Sequence, residues 1–168
     1  FCKGIKTMVN KKEKVKKAEK PKKAEKVEKG FGIIHQYTKD LSFENLLSAK
    51  ELLKEEFSPT GDIQLNLLVE KVDDSVSEIT LKFKVEAKDE EKKKSIYILE
   101  LEYAGLVLVQ GFPEEEVVPL LMVEAPRLMF PFAREVIAST TSGGGFSPLT
   151  LKPVDFLGMF MEQAQNNN

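Results

Sequence analysis

The chain has 168 residues, 42% of them hydrophobic and 31% charged, which suits one soluble globular domain with a modest core. Its formal net charge of -2 hides a division: residues 1–30 hold 12 Lys and 4 Glu, a net +8, so the other 138 residues carry -10. An acidic body attracts basic partners and disfavours nucleic acid, and the single cysteine, Cys2, excludes an intrachain disulfide.

No apolar run approaches the roughly 18 residues that a membrane-spanning helix needs. The basic start leads into more lysine rather than an apolar segment, so no secretory signal is expected. Met8 is expected to be the true start, with Phe1–Thr7 an artefact; the mass of the native N-terminus decides this. Residues 9–30 repeat KKAEK and offer almost nothing to bury. They are read as a disordered, solvated tail, with contact to nucleic acid, ribosome or lipid as the alternative. Residues 31–165 form the expected domain, and 166–168 a polar end.

Residues 32–43 alternate loosely and predict a first strand. Residues 46–57 predict a short helical turn or an ordered loop, broken at Pro59-Thr60-Gly61. Ile63, Leu65, Leu67 and Val69 mark a second strand by their two-residue period. The third strand is clearest: Ile79, Leu81, Phe83, Val85 and Ala87 share one face, and Thr80, Lys82, Lys84, Glu86 and Lys88 share the other. Such alternation fits an antiparallel sheet with one buried side. Lys88–Lys94 is the expected hairpin loop.

A fourth strand covers about residues 95–109. Tyr97, Leu99, Leu101 and Tyr103 face one way; Ile96, Ile98, Glu100 and Glu102 face the other. Two isoleucines beside two glutamates leave two readings open, cover by a helix or a mixed apolar and acidic docking surface.

After Gly111 the period becomes helical. Pro113–Glu116 is acidic, as a helix N-terminus prefers. A first helical piece is expected to end at Ala125-Pro126. Arg127–Thr141 predicts a longer helix, stopped by Gly143-Gly144-Gly145. A last helix is expected from near Pro153. Its Phe156 and Phe160 lie one turn apart, as do Leu157 and Met161. It is apolar on more than one face, which fits core or subunit packing, or a groove wall for varied apolar segments.

Catalytic chemistry has little to stand on. His35 is the only histidine, too few for a zinc site or a nucleophilic triad. The glycine run follows a helix, whereas a phosphate loop precedes one. The carboxylates lie mostly in solvated runs such as Glu114–Glu116, with no marked acid and base pair. No enzyme activity and no cofactor or metal are expected. Tryptophan is absent, so a base-stacking platform is poorly supported too.

Three segments carry a resemblance: YTKDLSFEN at Tyr37–Asn45, EAPRLMFPFAREVIA at Glu124–Ala138 and GGFSPLTLKPVDF at Gly144–Phe156. Together they resemble the bacterial export chaperone family SecB over nearly all of residues 33–162, with wording most like alphaproteobacterial members. The lysine-rich start departs from the family pattern. The resemblance implies an α+β fold, a four-stranded antiparallel sheet with helices packed on one face, assembling as a dimer of dimers. It implies that Arg127–Thr141 packs between dimers.

It also implies a cytoplasmic holding chaperone that needs no ATP, keeps precursor proteins unfolded and delivers them to the SecA motor. By position, the SecA contacts fall on Asp40, Glu44, Ile98 and Glu100; Ile98 stands where a leucine is usual. Client binding falls on Ile63, Leu65, Leu67, Phe146, Phe156, Met159 and Phe160. The expected partners are unfolded precursors, SecA and further copies of this chain. The alternatives are a SecB-like chaperone dedicated to an antitoxin, a structural tetramer without chaperone activity, and an RNA- or membrane-associated protein acting through its lysines.

Overall fold

The computed structural model describes residues 28–53, 59–89 and 94–166. Most of the lysine-rich segment therefore lies outside the described residues. Four strands, β1 (Gly30–Asn45), β2 (Pro59–Lys71), β3 (Val76–Asp89) and β4 (Lys94–Gln110), form one antiparallel sheet in the order β1-β4-β3-β2. The meander β2–β3–β4 follows from short connections between antiparallel neighbours. β1 closes the far edge against β4.

The expected alternation of β3 holds from Leu81 to Ala87, but Thr80, expected on the wet face, is 1% exposed. Ile79, Leu81, Phe83, Val85 and Ala87 are buried, as are Leu99, Leu101 and Val107 of β4. β1 alternates only loosely because its register slips at Ile33/His35 and at Thr38/Asp40. An extra residue reverses strand parity. Tyr37 and Asp40 therefore both pair with outward-facing positions, Ala104 and Glu102. Another slip, between Ala87 and Lys88, corrects the reading of Ile96. That side chain was expected outward, but it is 1% exposed and joins the core cluster.

The helices cover the inner face. α2 (Glu114–Pro119) runs into a π-helical turn, Leu120–Glu124, and then α3 (Ala125–Gly143). The expected break at Ala125-Pro126 is thus a correction, since helical structure continues from 114 to 143. Proline in a regular helix loses a hydrogen bond and strikes the preceding turn. Here the widened turn, with Ala125 N–H donating to Leu120 O, delivers Pro126 to the start of α3. α3 buries Met129, Phe130, Ala133 and Ile137 at i, i+1, i+4 and i+8 spacing against the sheet.

The glycine run does more than stop α3. Gly145 takes a φ of 90°. A Cβ on Gly144 would lie 2.3 Å from the Phe43 ring, so any larger residue there would have to push that ring aside. Buried Thr141 ties down the following crossover. Its hydroxyl accepts the Leu149 N–H at 2.9 Å and sits 3.0 Å from both the Ile137 and Ala138 carbonyls. α4 (Phe156–Asn166) begins after Asp155, three residues beyond the expected Pro153 start. The Asp155 carboxylate accepts the Gly158 N–H at 3.0 Å, as an N-cap does.

The turn after β1 forms the short α1 (Ala49–Leu52). Glu51 accepts hydrogen bonds from Lys94 Nζ at 2.7 Å, Ser48 Oγ at 2.6 Å and Ser48 N–H at 2.8 Å. Lys94 first, then Ser48, lower its pKa from 4.5 to about 2. A depressed carboxylate stabilises the fold above its unfolded value, and that stabilisation is lost as pH falls through the folded one. The Glu51 side chain should therefore titrate near pH 2 by NMR. α1 should loosen from about pH 4.5 downward. A midpoint at the ordinary glutamate value would contradict the contacts.

Candidate functional site

The sheet has two unlike faces, and register places the singled-out residues on them. Counted from β1 to β2, one inner row reads Phe43, Leu99, Val85, Ile63, and the next reads Leu41, Leu101, Phe83, Leu65. β2 is an edge strand, so the cover thins there. Ile63 is 45% exposed, and Leu65 and Leu67 are half-buried. Ile63 and Leu65 line a groove of about 380 Å³ with Phe83 and Phe130, closed by the crossover from Thr150 to Val154. A second cleft, of about 630 Å³, lies between α3 and the same crossover and includes Phe130, Val154 and Phe156. Thr150, Pro153 and Val154 thus form a rib between two open hollows, an apolar one toward β2 and one toward α3 that Arg127, Arg134 and Glu135 also line.

The other expected client residues are spread around this groove. Phe146 packs on Tyr97 at 4.9 Å and Phe43 at 6.2 Å. Phe43 is three strands from Ile63, about 14 Å at ordinary strand spacing. Phe146 therefore anchors the start of the crossover rather than lining the groove. Phe156 is 5% exposed and meets Phe130 edge to face at 5.9 Å. Met159 and Phe160 are half-buried against the core. The exposed apolar side chains of α4 are Leu157 and Met161, one turn apart. Phe83, Phe130, Leu151 and Val154 were not singled out as groove residues. The parity of Phe83 marked it only as inward, and nothing local assigns the others to a shared wall.

The outer face is charged. Its rows, again from β1 to β2, read Glu44, Ile98, Glu86, Asp62; then Ser42, Glu100, Lys84, Gln64; then Asp40, Glu102, Lys82, Asn66. Asp40, Glu44, Ile98 and Glu100 thus gather on two neighbouring strands. Ile98 is half-buried between Glu44 and Glu86. Glu100 and Glu102 pair with Lys84 and Lys82, each at 2.7 Å. Asp40 and Glu44 have no cationic partner among the described residues.

Beyond these rows the face is tied shut. Tyr37 OH donates to Glu78, and Lys39 Nζ donates to the same carboxylate at 2.5 Å. Lys39 and Tyr37 together hold Glu78 below the usual carboxylate range. The link reaches over β4 at Ala104, beside Thr80, and both of those residues are fully buried. His35 stacks on Tyr37 at 5.6 Å. Among the described residues no cluster of His, Cys, Asp or Glu has the grouping to hold a metal ion, and no helix is long and apolar enough to cross a membrane.

Comparison with known proteins matches this geometry to one family. The SecB family model, described as preprotein translocase subunit SecB, matches residues 24–167. The protein-export protein SecB of Nitrobacter hamburgensis is 44% identical over 133 residues, 79% of this chain and 82% of that protein. The protein of the same name from Sphingopyxis alaskensis is 42% identical over 134 residues, 80% of this chain and 76% of that protein. Among solved structures, a SecB-like chaperone of Mycobacterium tuberculosis, in complex with an antitoxin peptide, has the same fold. Its TM-score is 0.60 at 15% identity, over 74% of this chain and 91% of that one. The chain belongs to the SecB family of protein-export chaperones.

Proposed function

We propose that this chain holds export precursors unfolded in the cytoplasm and delivers them to the SecA motor without nucleotide hydrolysis. The observation that carries this reading is the division of one sheet into an open apolar groove at the β2 edge and an acidic outer face. Clients lie along the groove, on Ile63, Leu65 and Leu67, and continue toward Met159 and Phe160. Phe156 acts beneath them in the packed wall that keeps the groove open, and Phe146 anchors the start of the crossover that closes it. Each client side chain buried contributes roughly 1.5–3 kcal/mol, and ordering the client offsets much of it. Many weak contacts along one wrapped chain then add by avidity, which permits varied clients and quick release.

The motor docks on Asp40, Glu44, Ile98 and Glu100. An apolar residue ringed by carboxylates suits a basic partner with an apolar anchor. The chain assembles as a dimer of dimers. In support, α3 leaves Leu128 and Phe132 about half exposed one turn apart, and β1 is a sheet edge with Ile34 and Leu41 exposed. Export rather than antitoxin binding is favoured by the relatives at 42–44% identity, which are named for export. The antitoxin complex is a neighbour in fold alone.

The reading is tested by adding the protein to a denatured precursor diluted from urea, with native mass measured alongside. The expected result is suppressed aggregation without ATP, and a complex of four chains with one client. A tetramer that leaves aggregation unchanged would instead be a purely structural assembly.

A further inference from the structure

We infer that Lys84 is an internal counter-ion that restrains docking on the acidic face, so the partner must bring its own cation and displace Lys84 from Glu100. This rests on the proposed reading of that face. Of the three carboxylates assigned to docking, Glu100 is the one with a cationic partner among the described residues. Lys84 stands directly opposite it on β3, with Nζ 2.7 Å from Glu100 Oε1. The side chains are 57% and 49% exposed, so neither is locked in by packing. The Glu100 hydrogen bond, the largest cause, holds the Lys84 ammonium above its usual range. On its other side Glu100 faces Ser42, which carries no charge.

The pair is not needed to join β3 to β4. Those strands share a continuous buried face, including Leu81, Phe83, Val85, Leu99 and Leu101. An exposed cross-strand ion pair adds little to such a sheet. It does change what a newcomer meets. Asp40 and Glu44 attract a basic segment outright, whereas Glu100 yields only when Lys84 lets go. A handover surface of this kind binds selectively and still releases. Lys84 is therefore a specificity-determining residue of the docking face, and it acts through Glu100.

The test measures the affinity of SecA for the assembled protein carrying Lys84→Gln, Glu100→Gln, or both. Glutamine keeps the length of glutamate, is one atom shorter than lysine, and removes the charge of each. Lys84→Gln is expected to tighten binding about three- to fivefold at low salt, the scale of an exposed ion pair. The gain should vanish in the Glu100→Gln background and fade as salt screens the face. Because the expected change is a gain, misfolding cannot mimic it. No gain, or an equal gain with Glu100 already replaced, would overturn the inference while leaving the docking face intact. If Glu100→Gln alone binds SecA as tightly as the wild type, the docking reading fails and the inference fails with it.

Discussion

Phe156→Ala is expected to destabilise the fold by about 3–5 kcal/mol, the range for deleting a buried aromatic ring. Phe156 is 5% exposed and seals the seam between α4 and α3 through its edge contact with Phe130. Phe130 in turn meets Phe83 of the sheet at 6.2 Å. Removing the first ring opens a cavity beside the second, which lines both hollows of the crossover. Client holding should then fall in step with stability. Urea unfolding checks this by a lower midpoint at unchanged slope. A Phe156→Ala protein of normal stability that no longer holds clients would move this residue from the wall into the groove.

Much of the sheet was legible from residue order. β3 alternates from Leu81 to Ala87 and β4 from Tyr97 to Tyr103, because one face is buried there. Register, by contrast, depends on bulges, which leave no reliable local mark. The slip at Thr38/Asp40 lets Tyr37 and Asp40 share a face despite opposite parity. The slip at Ala87/Lys88 coincides with a buried Ile96. The prolines misled for a related reason. Ala125-Pro126 has the local chemistry of a helix stop, and only a widened turn, a tertiary adjustment, carries the helix through it.

The two surfaces were legible to different degrees. The family resemblance selected Asp40, Glu44, Ile98 and Glu100, and the register gathers them on one face. The Lys84–Glu100 pair was hidden, because it joins two strands across a hairpin whose pairing no single strand reveals. The groove was half visible. Parity put Ile63, Leu65 and Leu67 on one face of a strand and the family resemblance assigned them to the groove, but the crossover wall of Thr150–Val154 has no periodicity to read. Gly144 looked like a helix stop alone. Its fit beneath Phe43 requires both ends of a 101-residue separation to be in place.

The central claim is that clients and motor use opposite faces of one sheet, so each activity can be lost without the other. In Asp40→Ala with Glu100→Ala, two carboxylates leave the outer face, and the Lys84 ammonium is left without its partner there. SecA binding should weaken about tenfold or more, mainly through a slower on-rate. Ile63→Thr with Leu65→Thr places hydroxyls in the groove and puts a β-branched residue, which suits a strand, at both positions. At about 1–2 kcal/mol lost per side chain, client affinity should also weaken tenfold or more. The most direct measurement takes both double variants, verified as intact assemblies by native mass, and determines SecA affinity and client holding for each. The expected result is a crossed pattern: the first variant loses SecA and keeps clients, and the second loses clients and keeps SecA. Parallel loss of both activities in both variants would contradict two separate surfaces.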